Sequence, residues 1–147
     1  FTHFEPHEDT AHRGLSQLGP ASRRACMGSL LTAGTAVLEP TLAIEVRVPT
    51  DLVGNVATIL SGKRGKVLDM QQKGASSIVI GEIPASETFT LSEAMRGQTA
   101  GRATWNTSFK EWTEVPKSML TNAVADIRKR KGLAPEPPGV SEFIDKE

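Results

Sequence analysis

An α+β fold, with a four-stranded antiparallel sheet carrying two helices on one face, is predicted by three features of this 147-residue sequence. Two stretches alternate apolar and polar residues with the period of a half-buried strand. Two more are short strand-like runs joined by turn residues, and helical segments separate these pieces. Read along the chain, the order is β-α-β-β-α-β, the split arrangement of ferredoxin-like domains.

Each element has its own justification. Residues 20–33 ("PASRRACMGSLLTA") read as a helix, with Ser16 or Gly19 as its cap, Pro20 at its first position and Gly34 as its stop. Ala21, Ala25, Cys26, Leu30 and Ala33 share a face, with Arg23 and Arg24 off it, so Cys26 is expected in a core. In "LEPTLAIEVRVP", Leu42, Ile44, Val46 and Val48 alternate with Ala43, Glu45 and Arg47 as a strand that Pro49 ends. Thr50 or Asp51 caps a helix in which Leu52, Val53, Val56, Ile59 and Leu60 recur at helical spacing, and Gly62 terminates it. Strands follow at about 66–72 and 76–83, joined by Lys73, Gly74 and Ala75. A short helix is expected around 91–98. A last strand then alternates Ala103, Trp105, Thr107 and Phe109 with polar residues. Trp105, Phe109 and Ile44 are expected to serve the core only.

This arrangement, with a further helix at about 117–131 carrying Met119, Leu120, Val124 and Ile127 on one stripe, makes a domain of residues 37–131. Residues 132–147 form a Pro-rich acidic tail in which Phe143 and Ile144 are potential anchors. Residues 1–36 hold a loop and one helix, too little to bury a core alone, and are expected to be the end of another domain. Starting at Phe1 without a methionine, the chain is expected to be a fragment or a processed product.

Composition narrows the function classes. Seventeen basic residues balance seventeen acidic ones, so any contact with nucleic acid must be local. One cysteine excludes an internal disulfide framework and fits a reducing compartment. With no apolar run of membrane-spanning length and no signal-like start, a cytoplasmic monomer is the expectation. Basic residues cluster in "GKRGK" (62–66), where flanking glycines indicate an exposed turn, and in "RKRKG" (128–132), which suits the negative end of a helix.

The chemistry concentrates in "HEDTAHRGLSQ", residues 7–17. Metal ligation, catalysis and a presented loop are the candidates. His7-Glu8 followed by His12 misses the zincin spacing by one residue. Five helical residues turn through about 500°, which sets the two rings roughly 140° apart. Pro6 argues against a helix joining His3 to His7, so no metal site is assigned. Phosphate-cradling glycine loops, dinucleotide fingerprints and a nucleophile elbow are all missing. The middle strands, "KVLDMQQ" and "SSIVIGEI", carry no aromatic, so the sheet is not a base-stacking platform. Contact with an RNA backbone through Lys63, Arg64 and Lys66 needs only placed positive charge and stays open. Arg23 and Arg24 are further candidates, which a solvated helix face explains nearly as well.

"HEDTAHRG", a helix with "RR", "LEP" leading into a strand, "RGKVLDMQ", "GRATW", "EVPKSM" and "IRKRKGL" resemble, in that order, the C-terminal part of the translation elongation factor 2 family, and most nearly its archaeal branch. The resemblance is collinear over essentially the whole chain. It implies the end of that family's fourth domain in residues 1–36 and its ferredoxin-like fifth domain from 37 onward. It also implies that His12 is the histidine converted to diphthamide, the target of ADP-ribosylation by diphtheria toxin. His7, Asp9, Arg13 and Gly14 would be its tip-loop companions, with Arg13 able to pair with a backbone phosphate. The implied partners are the ribosome's RNA and proteins and, through the tip, tRNA and mRNA at the decoding centre. GTP with magnesium would belong to a domain outside this chain, which would itself be no enzyme and hold no cofactor. Ala11, Leu15 and Ser16 depart from the family's usual loop, and "ETFTLSEAMRGQTAGR" from its usual fifth domain. A divergent paralogue without the modification and a metal-binding module on the histidine cluster are the competing readings.

Overall fold

The computed structural model describes residues 3–144; the last acids of the tail, Asp145 and Glu147, lie outside the described residues. In chain order the elements are α1 (Leu15–Ala33), β1 (Leu38–Pro49), α2 (Val53–Gly62), β2 (Lys66–Lys73), β3 (Ser76–Pro84), α3 (Leu91–Thr99), β4 (Thr104–Glu114) and α4 (Lys117–Arg130). They divide into two compact units, Val37–Val115, and Phe1–Ala36 together with Pro116–Glu147.

In the first of these units the four strands form one antiparallel sheet in the order β2-β3-β1-β4, the ferredoxin-like topology that the sequence predicts. β1 pairs on both sides, with Val46 opposite Val79 and opposite Trp105. Its inward residues Ile44, Val46 and Val48 bury against Val56, Ile59 and Leu60 of α2 and Leu91 and Met95 of α3. Removing these apolar side chains from water is the main stabilising term, at about 1.5–3 kcal/mol for each fully buried one.

Two glycines are required by close backbone approach. A Cβ on Gly81 would collide with the Lys66 carbonyl oxygen across the β2–β3 pair. One on Gly65 would lie 2.9 Å from the carbonyl oxygens of both Leu60 and Glu82. Gly62, expected as the stop of α2, is its last helical residue. The left-handed residue that usually ends such a helix is Arg64, at φ 55°, and the Gly65 amide then donates to the Leu60 carbonyl at 2.8 Å.

Two expectations are corrected in detail. β4 runs five residues beyond Phe109, past an irregularity opposite Thr41 and Leu42. Trp105 packs on the core as expected, but Phe109 is 57% exposed. It shares the face of its partner Leu42, yet it lies on an edge strand and makes its ring contact with Trp112, at 5.9 Å, instead of with the core.

In the other unit, α1 begins at Leu15 with Gly14 as N-cap, so Pro20 sits inside the helix and not at its start. Its missing N–H removes a single bond close to the helix start, which limits the cost. Gly34, at φ 72°, is the stop as predicted. Cys26 is exposed, against the expectation of a core position. Only Gly28 of α1 is buried, because its cover is a short segment in which the 3-10 turn Val140–Glu142 brings Phe143 onto the helix. Phe143 thus anchors the tail on α1, while Ile144 stays 59% exposed.

Candidate functional site

The loop ahead of α1 is held by its own polar groups. The Asp9 carboxylate accepts from the Ala11 amide at 2.9 Å and so caps a single 3-10 turn, Thr10–His12. The Asp9 amide in turn donates to His7 Nδ1 at 3.1 Å. Arg13 closes the loop: its Nε donates to the His7 carbonyl at 2.6 Å and an Nη to the Glu8 carbonyl at 2.9 Å. Gly14 leaves the loop in extended geometry, φ −68° and ψ 155°, and caps α1. Every residue from His3 to Gln17 is exposed.

His7, Asp9, His12 and Arg13 are therefore brought together. The two imidazole rings lie 4.6 Å apart, and His12 Nδ1 is 3.4 Å from an Asp9 carboxylate oxygen. His3 stands apart, 3.6 Å from Glu5. Among the described residues no three His, Cys, Asp or Glu side chains are grouped so as to hold a metal ion. The Arg13 guanidinium bonds carbonyls of its own loop.

The basic candidates separate into committed and open ones. Arg64 gives its Nη atoms to both Glu39 oxygens at 2.6 and 3.0 Å, its Nε to Glu87 at 2.8 Å and a further bond to Ser86 at 2.9 Å. Its guanidinium beside Glu39 holds that carboxyl below the usual carboxylate range, against the opposing effect of burial. Glu39 in return holds the guanidinium more firmly protonated. Lys63 bonds Thr90. Lys66 stays exposed, 3.8 Å from Glu82, whose main partner is Lys110. Through those contacts, that of Lys110 first, Glu82 also falls below the usual carboxylate range. Arg23 is exposed, and Arg24 reaches the Glu142 carbonyl at 3.4 Å. The partners Glu39, Ser86 and Glu87 were missed by sequence reasoning, because they lie 22 to 25 residues from Arg64 and no spacing links them.

A family model described as "Elongation factor G C-terminus" matches residues 36–132. The chain is 79% identical over all 147 residues to elongation factor 2 of Cenarchaeum symbiosum (strain A), covering 20% of that protein. It is 49% identical over 138 residues, 94% of its length, to elongation factor 2 of Staphylothermus marinus, covering 19% of that protein. The chain thus spans about a fifth of the length of the curated relatives it matches. A crystal structure of a Thermus thermophilus protein superposes with a TM-score of 0.56 at 30% identity, over 66% of this chain and 14% of that one.

Proposed function

Because this chain belongs to the elongation factor G C-terminus family, we propose that it is the C-terminal, ribosome-engaging part of a translational GTPase that promotes movement of tRNA and mRNA, and that His12 is its diphthamide residue. The observation that carries this reading is the loop itself. Among the described residues, the contacts that order residues 3–13 are made by their own groups, while all of these side chains face water. A loop ordered without burial presents its histidine at little entropic cost on binding.

The chemistry of each residue fits presentation better than catalysis. Arg13 and Asp9 rigidify the backbone, His7 buttresses one side, and His12 carries a half-exposed ring beside a carboxylate. A cationic extension on that ring would add reach and charge toward RNA phosphates. Lys63 and Lys66 remain as supporting backbone contacts, whereas Arg64 acts within the fold. GTP and magnesium would be held by a domain outside this chain, which would hydrolyse no nucleotide and work in the cytoplasm.

Tandem mass spectrometry of the protein from its native source, across the peptide containing His12, tests the reading. A diphthamide mass on His12, and not on His3 or His7, is expected. Unmodified His12 in native protein would overturn the modification and leave a paralogue with the same architecture.

A further inference from the structure

Helix α1, which carries the histidine loop at its start, is a weak helix by its own sequence. Gly19, Pro20 and Gly28 lie inside it, and Ser29 and Thr32 turn their hydroxyls back onto the Ala25 and Gly28 carbonyls at 2.9 and 2.8 Å. Interior glycine and proline oppose a helix, and such back-bonding weakens it slightly. Its first turn has neither a capping side chain nor an acidic residue; the Gly14 carbonyl accepts there from the Gln17 and Leu18 amides, both at 3.0 Å. Gly28 is its one buried residue, and Phe143 of the tail lies over it: a Cβ added at Gly28 would stand 3.6 Å from the Phe143 Cβ. An Arg24 Nη donates to the Glu142 carbonyl at 3.4 Å beside this seat. Next to it, α1 and the tail leave a concavity of about 580 Å³, so the closure is partial.

We infer that the tail turn Val140–Glu142, with Phe143, is a strap that keeps α1 folded and through α1 holds the base of the histidine loop. Helix formation is cooperative, so a clamp on one part of a weak helix raises the order of the rest. The first turn, with no side-chain cap of its own, gains most from it. The internal shape of the loop is a separate matter, since the hydrogen bonds of His7, Asp9 and Arg13 are made within residues 7–13. The strap therefore governs how firmly the loop is held, and not how it is folded. Phe143 is half-buried and Ile144 exposed, and the core of the sheet unit contains neither. Opening the strap thus leaves that core intact. The inference does not depend on the modification of His12, and an unmodified His12 would leave it standing.

The test is hydrogen exchange of the 147-residue chain, amide by amide, in wild type, F143A and F143L. F143A should speed exchange about tenfold at Thr32, at Ala33 and at Leu18, the loss expected on truncating a half-buried phenylalanine. The Ala11 amide, held by Asp9, should keep its rate. F143L retains an apolar side chain at the seat and should stay within about threefold of wild type. Urea unfolding read by Trp105 and Trp112, both in the sheet unit, should give an unchanged midpoint for each variant. Wild-type exchange throughout α1 of F143A would overturn the strap. Acceleration confined to residues 29–33, with Leu18 at its wild-type rate, would overturn its reach to the base of the loop. A lowered sheet-unit midpoint would overturn its independence of the sheet.

Discussion

Replacing Arg64 separates two effects that the structure superimposes at one residue. The guanidinium ties β1 to the 3-10 turn Ala85–Thr90 through Glu39, Ser86 and Glu87, while the Arg64 backbone sits in the left-handed region at φ 55°. Charge-assisted hydrogen bonds contribute about 1.5–3 kcal/mol each in protected sites. These side chains are 25% exposed for Arg64 and 13% for Glu39, so the network is partly screened and its bonds are not additive. Arg64→Ala should therefore cost about 3 kcal/mol, much of it from leaving Glu39 half-buried without a counter-ion. Arg64→Gly loses the same contacts but relieves the left-handed strain, and should be about 1 kcal/mol more stable than Arg64→Ala. Trp105 and Trp112 both lie in the sheet unit, so urea unfolding followed by tryptophan fluorescence reports that unit alone. At a slope of about 1.5 kcal/mol per molar, Arg64→Ala should lower the midpoint by about 2 M. Glu39 has a folded pKa below its ordinary 4.5, so its contribution is full above that value and is lost as pH falls through the folded pKa. The gap between wild type and Arg64→Ala should accordingly close as pH falls below that ordinary value and through the folded pKa. Equal midpoints at pH 7, or Arg64→Gly less stable than Arg64→Ala, would refute this account.

Other outcomes follow from named contacts. Gly81→Ala should destabilise by about 2 kcal/mol or more because its Cβ meets the Lys66 carbonyl, whereas Gly54→Ala, with open space in α2, should stabilise by about 0.5–1 kcal/mol in the same urea assay. Leu60→Ala should cost about 2–5 kcal/mol, since that side chain is fully buried between sheet and helices. Asp9→Ala should leave global stability nearly unchanged while hydrogen exchange at the Ala11 amide accelerates several-fold; unchanged exchange would remove the cap from the account.

The sheet was legible because its signal is local. Alternation in Leu42, Ile44, Val46 and Val48 sets which side faces in, and Val79 and Trp105 follow from pairing. What was illegible depends on where cover ends. Cys26 lies on an apolar helical face and Phe109 on an inward strand face, and both readings of direction are sound. Neither position is covered, since periodicity reports which way a side chain points and not how far the neighbouring layer extends. The start of α1 failed for a related reason: Pro20 suits a first turn, but Gly14 supplied an earlier cap. Gly62 failed by two residues, because an arginine held by three partners can occupy the position glycine usually takes.

The same distinction separates the two kinds of basic and histidine residue at the candidate site. A residue type tells what a group can bond, but its use depends on whether the fold has already satisfied it. Arg64 and Arg13 are both exposed enough by sequence to meet RNA, yet both spend their donors inside the chain, on carboxylates in one case and on carbonyls in the other. His7 is similarly spent, with Nδ1 accepting from Asp9 and its carbonyl accepting from Arg13. His12 is the ring left over: an Asp9 carboxylate oxygen lies 3.4 Å from its Nδ1 and the ring stays half-exposed. On the proposed reading, the loop's polar residues exist to leave one imidazole unencumbered, and the first consequence of loosening Arg13 or Asp9 should fall on the presentation of His12 before it falls on the fold.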